Sequence, residues 1–223
     1  MKPNCHFYCV DLKTLVENIE NRRRVGVKLK RRIGEIWSAC VFALCLEHNE
    51  GKRFLIGFPQ RGNRPALVTL EQLLSGSIGE LNDWDVVLVP DFGPDGPQER
   101  EFHQCQLVSY RRRANPGTQD LIDFLEEKKL KRAGGDLRLV VHIEQETGFE
   151  FDWVAVAAHL MMRRPKCPYQ QVFMLGEFGS PESPHWHCRQ LFPLMLPMLD
   201  LDRQTARRLL QDRPTYPTIR ANQ

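Results

Sequence analysis

The stretch "DWDVVLVPDFGPDGPQEREFHQCQLVSYRRR", residues 83–113, decides how this chain folds. Two largely apolar runs flank the segment "GPDGPQ", which is dense in residues that favour turns. The pattern predicts two antiparallel strands joined by a hairpin connection. In that hairpin Asp85 lies opposite Gln106, and Gln104 shares the face of Gln106 because strand side chains alternate. One carboxylate and two amides are therefore expected within one small volume.

Helices and strands are expected on both sides of this hairpin. Helical spacing of apolar residues predicts helices over 12–24, 28–49, 119–132, 153–164 and 202–212, and further strands are expected over 52–59, 136–145, 169–178 and 185–192. Hairpins mixed with helical crossovers predict an α/β fold, in which a mixed central sheet is flanked by helices. No clear linker divides the chain, so residues 1–223 are expected to form a single domain with a C-terminal appendage at about 191–223.

Three polar residues stand where helices are expected to begin. Asp11, Thr118 and Asp152 each precede an apolar-periodic run, and their side chains are of the kind that accepts backbone N–H groups at a helix start. We therefore predict that these three residues are N-caps.

The composition fits a soluble globular protein of a reducing compartment. Hydrophobic residues make up 42% of the 223 positions and charged residues 26%, and no run approaches the roughly 20 apolar residues that a membrane helix needs. The first residues do not resemble a secretory signal. The seven cysteines are an odd number and include no CxxC pair, which favours free thiols. We expect a cytoplasmic protein without membrane partners.

The basic residues are clustered, although the net charge is only +3. Such clusters either follow the phosphates of a nucleic acid or form solvated helix faces, and the sequence leaves both interpretations open. The clusters closest to the hairpin and to the second helix are Arg22, Arg23, Arg24, Arg31, Arg32, Arg111, Arg112 and Arg113.

An acid-bearing helix, a strand that opens with Asp, a hairpin, then a helix and a strand together resemble the restriction-endonuclease-like superfamily, the PD-(D/E)xK nucleases. The resemblance implies a nuclease-like core at about 25–178. It also implies that Glu35 and Asp85 hold Mg²⁺ and that both take part in catalysis. Gln104 stands where the family carries a metal-binding acid, and Gln106 where it carries a lysine that orients the attacking water.

The two glutamines depart from the family pattern. Mg²⁺ prefers anionic oxygen ligands, and Gln104 brings no charge to the site. Gln106 cannot supply the positive charge of a lysine. The resemblance therefore implies a nucleic-acid-binding protein with a degenerate Mg²⁺-dependent phosphodiesterase site that is weak or inactive. The alternative for the hairpin is that these side chains are ordinary polar residues of a solvated strand.

Other residues suggest further sites. Asp91 follows Pro90 near the turn but lies at a different level of the sheet from Asp85. One strand carries His142, Glu144 and Glu146 on a single face, which suits either a metal or an exposed strand end. Tyr110 stands four positions after Gln106, a spacing that some nucleases carry on a helix rather than a strand.

Two more hypotheses concern the ends of the chain. Cys5, Cys9, His187 and Cys188 are of the types that bind zinc, but their spacings match no finger pattern, and the expected interpretation is that the cysteines are buried apolar side chains. The segment "LFPLMLPMLDL", residues 191–201, is unusually apolar for its position. If it is exposed, it favours a second function, that of a non-enzymatic protein-interaction subunit of a larger assembly.

Overall fold

The structure is a computed structural model, and it describes residues 7–24, 31–59, 85–90, 103–110, 117–130, 137–143, 151–180, 183–213 and 220–221. The chain divides into two compact units. The first unit contains residues 1–104 and 204–223, and the second contains residues 105–203. The predicted α/β class is confirmed, whereas the restriction-endonuclease-like core and the single-domain organisation stay predictions.

The described chain combines helices with single strands and with runs of three strands. In chain order the elements are β1 (Phe7–Val10), α1 (Leu12–Arg24), α2 (Arg31–Glu50), β2 (Phe54–Pro59), β3 (Asp85–Pro90), β4 (His103–Tyr110), α3 (Thr118–Leu125), a π-helical turn (Glu126–Leu130), β5 (Leu137–Ile143), α4 (Trp153–Met162), a 3-10 turn (Arg164–Lys166), β6 (Gln171–Ser180), β7 (Ser183–Phe192), β8 (Leu199–Asp202), α5 (Arg203–Gln211) and β9 (Arg220–Ala221).

The first unit contains an antiparallel arrangement of strands in the order β3-β2-β1-β9. Helix α2 belongs to this unit, and each residue from Glu35 to Glu47 is buried. A helix that is apolar around most of its circumference packs inside a core, which explains this burial. Helix α1 instead buries a single stripe, which consists of Leu12, Leu15, Val16 and Ile19.

The second unit contains a mixed sheet in the order β8-β7-β6-β5-β4, to which β4 contributes all but its first two residues. Strands β5 and β6 are parallel, and α4 connects them, as a parallel pair requires a crossover. Strands β6, β7 and β8 are antiparallel neighbours. The predicted mixed sheet with flanking helices is therefore confirmed in this unit.

One face of this sheet carries the core of the second unit. Alternate residues of β5, namely Leu139, Val141 and Ile143, point to the face that α3 and α4 cover. The same cluster includes Leu121, Ile122, Leu125, Val156, Ala157, Leu160, Val172 and Met174. This packing fixes α4 on the sheet through one stripe of the helix.

Two of the predicted N-caps are confirmed. The Oδ2 atom of Asp11 accepts the backbone N–H of Thr14 at 3.0 Å, and the Oδ1 atom of Asp152 accepts that of Ala155 at 3.0 Å. Each carboxylate satisfies a backbone donor that has no partner within the first helical turn.

The third predicted N-cap, Thr118, is wrong. Helix α3 begins after Gly117, which provides no side-chain cap. The Oγ1 atom of Thr118 instead accepts the backbone N–H of Asp152 at 2.9 Å. The hydroxyl is thus engaged by a segment 34 positions away in sequence, a contact that local pattern cannot reveal.

Within the described ranges, no helix combines the length and the apolar character that crossing a bilayer requires.

Candidate functional site

The helical acid of the predicted site, Glu35, lies in the first half of α2. Its side chain is 3% exposed. Burial of a carboxylate is costly unless nearby groups compensate its charge. Glu35 is therefore not an ordinary solvent-exposed acid of a helix surface. The helix therefore places one acid inside the first unit, and its role as a metal ligand stays a prediction.

The strand acid, Asp85, begins β3, but its side chain lies outside the described part of the chain. Its predicted approach to Glu35 and to Gln106 therefore stays a prediction. The same holds for Asp91, Glu144 and Glu146, which lie outside the described residues.

The two glutamines lie on β4, where they are half-buried and share one face. Cys105, between them, points the other way and is buried. The Oε1 atom of Gln106 accepts a hydrogen bond from the hydroxyl of Tyr169 at 2.6 Å. Tyr169 is 4% exposed and belongs to the core cluster of the second unit. Gln106 is consequently tied to the core of the second unit.

The face of β4 that carries Gln106 continues to Tyr110. The Tyr110 hydroxyl donates to Oδ2 of Asp120 on α3, and its ring packs edge-on against Phe124 and Phe151. Tyr110 is fully buried. Its place after Gln106 is therefore explained by core packing and one hydrogen bond.

An ion cluster that the sequence analysis missed joins the π-helical turn to α4. One oxygen of Glu126, Oε1, lies 2.6 Å from Nε2 of His159 and 2.8 Å from Nε of Arg163. His159 and Arg163 are four positions apart, so they lie on one side of the helix end. The four-residue spacing is the only sign of this ion cluster in the local sequence, because Glu126 stands 33 positions before His159.

A second missed cluster lies inside the first unit around Arg213. Its guanidinium donates to Glu47, to Oδ1 of Asp11 at 3.4 Å and to the carbonyl oxygen of Phe54 at 3.2 Å. Glu47 also accepts the backbone N–H of Phe54 at 2.6 Å. The two acids and the arginine are almost fully buried, and the single guanidinium is shared between the two carboxylates away from water.

Of the four residues in the zinc hypothesis, the structure describes the side chains of His187 and Cys188. Cys188 is buried. Nδ1 of His187 lies 3.5 Å from Oδ1 of Asp200, and its ring lies 4.6 Å from that of Phe178. Cys5 and the side chain of Cys9 lie outside the described residues. His142 of the other metal hypothesis is half-buried on β5.

In the described part of the chain, no three His, Cys, Asp or Glu side chains come together in a way that could hold a metal ion. The described residues of the predicted magnesium site supply one carboxylate, that of Glu35, so the magnesium hypothesis depends on Asp85.

The basic clusters cannot be placed on one face. Helices α1 and α2 include the backbone of 22–24 and 31–32, but those side chains lie outside the described part, as do residues 111–113 altogether. The nucleic-acid-binding face therefore stays a prediction.

The apolar segment 191–201 separates into buried and exposed parts. Leu191 and Phe192 end β7 inside the core of the second unit. The connection to β8 then exposes Leu194, Met195 and Leu196, with Leu194 at 65%. Three consecutive exposed large apolar side chains are uncommon on a monomer surface and are typical of a contact with another molecule.

No family model, no curated protein and no solved structure matches this chain.

Proposed function

We propose that this protein binds nucleic acid on a restriction-endonuclease-like core whose Mg²⁺ site is degenerate. The observation that carries the proposal is the order of the described elements from α2 to β5, in which a helix with a buried acid precedes β2, β3 and β4, and α3 and β5 follow. The resemblance implies an acid-bearing helix, two strands, a helix and a strand, and β2 is an additional strand before β3.

Two features of β4 favour weak or absent cleavage. Gln104 and Gln106 bring no charge to the positions of a metal-binding acid and a lysine, and Gln106 accepts a hydrogen bond from Tyr169. Phosphodiester hydrolysis relies on charge that stabilises the developing phosphorane, which amides do not provide. Binding relies on arginines and needs neither group. Cys40, Cys45, Cys105, Cys167 and Cys188 are in the reduced form, which supports a cytoplasmic location for this activity.

The experiment uses the full chain with labelled single- and double-stranded DNA and RNA, in Mg²⁺, Mn²⁺ or EDTA. We expect binding that weakens steeply with salt, because each phosphate contact releases counterions, and little or no cutting. Asp85→Ala should leave binding unchanged. No binding at low salt would refute the proposal. Metal-dependent cutting that Asp85→Ala abolishes would show that the site is intact rather than degenerate.

A matched pair of variants tests the predicted binding face. The double variant Arg31→Ala and Arg32→Ala should weaken binding and flatten its salt dependence. The control, Arg207→Ala and Arg208→Ala, removes two exposed arginines of α5 that are not part of the predicted face. Equal effects of the two pairs would mean that binding follows net charge and not this surface.

A second candidate is a protein-interaction subunit, which the exposure of Leu194, Met195 and Leu196 favours. If these side chains contact a larger assembly, Leu194→Glu should shift the chain in a native extract from the mass of the assembly to its own mass. Gln211→Glu adds the same charge at an exposed position of α5 and should cause no shift. Co-migration of both variants with the assembly would exclude this surface.

A further inference from the structure

Phe178 is exposed on the face of the second unit's sheet that α3 and α4 cover elsewhere. Alternation along β6 places it on the same face as Gly176 and as Met174, which belongs to the core cluster. Met174 is 3% exposed and Phe178 46%, so the cover over this face ends between these two residues. The uncovered part is the carboxyl end of β6, which runs parallel to β5. In open α/β sheets, ligands bind outside the carboxyl ends of the strands.

Phe178 and His187 form an aromatic pair on this face. Their ring centroids are 4.6 Å apart, and the ring planes are tilted by 49°. Gly176 stands directly opposite His187 in the register of β6 and β7. A Cβ at position 176 would lie 2.8 Å from Cζ of Phe178 and closer still to Cε2. The glycine therefore lets the Phe178 ring lie against the sheet beside His187.

Arg189 lies on the same face as this aromatic pair and has no counter-charge. It follows His187 by two positions on β7, so both side chains point the same way. Arg189 is half-buried, its Nε atom is buried without a hydrogen-bond partner, and in the described part of the chain its guanidinium forms no ion pair. A partly buried cation without an acceptor is costly unless a ligand supplies the anion. The face therefore offers a positive charge to an anionic ligand.

The two acids on this face lie on β8, at the edge of the sheet. Asp200 stands opposite His187, and Asp202 follows two positions further along β8. Nδ1 of His187 lies 3.5 Å from Oδ1 of Asp200. In the register of the two strands β8 does not extend as far as Arg189, so neither acid stands opposite the guanidinium. An anionic chain is therefore expected to pass close to Arg189 and away from β8.

We propose that this face is a stacking site for single-stranded nucleic acid, in which one base packs on Phe178 and His187 and an adjacent phosphate binds Arg189. Arg189 and His187 are about 6.6 Å apart along the strand, a distance that one nucleotide can span. An unpaired base exposes its planar surface to aromatic side chains, whereas the bases of a duplex stack on one another. The inference rests on the proposed nucleic-acid binding and names the form of nucleic acid that the protein prefers.

A protein partner fits this face less well than a base does. Among the described residues of the strands, Phe178 is the one large apolar side chain that is exposed. Protein interfaces have a core of several apolar side chains. Stacking requires only one aromatic surface for each base, and a neighbouring arginine strengthens it.

The first test compares binding of the full chain to a labelled single-stranded oligonucleotide and to the matching duplex by fluorescence anisotropy. Phe178→Ala should raise the dissociation constant for the single strand at least about fivefold, because a base loses its stacking surface, and should leave the affinity for the duplex unchanged. Phe178→Trp keeps an aromatic surface and should stay within about twofold of the wild type. The control Leu194→Ala removes an exposed apolar side chain elsewhere in the second unit and should change neither affinity.

The second test separates the phosphate contact from stacking. Arg189→Gln should weaken single-strand binding and reduce the slope of log affinity against log salt concentration by about 0.7, which corresponds to one lost phosphate contact. Phe178→Ala should leave that slope unchanged.

The outcomes distinguish this inference from the proposed function. A wild-type chain that binds no nucleic acid refutes both. A chain that binds nucleic acid, but whose affinity for the single strand is the same in Phe178→Ala and Leu194→Ala, overturns the stacking site alone. Equal losses for the single strand and the duplex overturn it as well, and so does a Phe178→Trp variant that binds as weakly as Phe178→Ala.

Discussion

Arg213 donates a hydrogen bond to Glu47 across 166 positions of the sequence, and both side chains are almost completely buried. The same guanidinium lies 3.4 Å from Oδ1 of Asp11, which caps α1. One side chain near the end of the described chain therefore pairs with two acids that precede it by more than 160 positions.

Replacing this arginine should destabilise the protein strongly. Arg213→Met leaves Glu47 and Asp11 buried without their cation, a change that typically costs about 3–5 kcal/mol in the free energy of unfolding. Urea denaturation followed by circular dichroism measures the loss. Arg208→Ala, at an exposed position of α5, should change the stability by less than about 0.5 kcal/mol. Similar losses for both variants would show that the ion cluster is not the cause.

The contact between Tyr169 and Gln106 should be measurable by itself. Tyr169→Phe removes one hydroxyl and leaves the Gln106 oxygen without this donor, which should cost about 1–2 kcal/mol of unfolding free energy. Adding Gln106→Leu should cost less than the sum of the two single changes, because the polar pair is then removed together. Additive losses in this double-variant cycle would contradict a direct interaction.

The N-cap of α4 gives a prediction in which a conservative variant is the control. Asp152→Ala should lower the unfolding free energy by about 1 kcal/mol, because the backbone N–H of Ala155 loses its acceptor. Asp152→Asn keeps a side-chain oxygen and should stay within a few tenths of a kcal/mol of the wild type. The comparison is made by urea denaturation of the three proteins under the same conditions.

The alkylation rate of Cys167 should depend on pH differently from that of a solvent-exposed thiol. Burial raises the pKa of the Cys167 thiol above its ordinary 9.0, although a hydrogen bond from the backbone of Tyr169 opposes the shift. A raised pKa leaves less thiolate at a given pH, and the thiolate is the reactive form. The rate of Cys167 alkylation, followed by mass spectrometry, should therefore reach half of its maximum above pH 9.0. A half-maximal rate at or below that pH would contradict the shift.

Cys40 should be inert in the folded chain. Burial raises the pKa of its thiol far above the ordinary value, and the nearby Arg213 guanidinium opposes this only partly. We expect no labelling of Cys40 in native buffer and full labelling in urea. Rapid native labelling would mean that α2 opens readily.

The sequence predicted the long, periodic elements well. The buried helix α2 and the central strand β5 follow from patterns of apolar residues that repeat over many positions. Asp11 and Asp152 were predicted as N-caps because their partners are three residues away. Each of these signals is local.

The features that were missed are very short strands and contacts between residues that are distant in the sequence. Strands β1, β8 and β9 contain two to four residues, too few for an alternation to be recognised. Thr118 is a plausible cap by local rules, yet its hydroxyl is taken by Asp152. For the candidate site, the sequence placed Gln106 on its strand but did not identify Tyr169, 63 positions later, as its partner.

The position of Arg213 also bears on how the chain folds as it is made. Residues 105–203 form a continuous compact unit, whereas the first unit needs residues from both sides of that stretch. During synthesis, residues 105–203 therefore leave the ribosome as a unit that can fold before the last residues of the first unit have been made. Until Arg213 emerges, Glu47 and Asp11 lack their counter-charge, so a chain that stalls short of that residue should expose the first unit to chaperones and proteases.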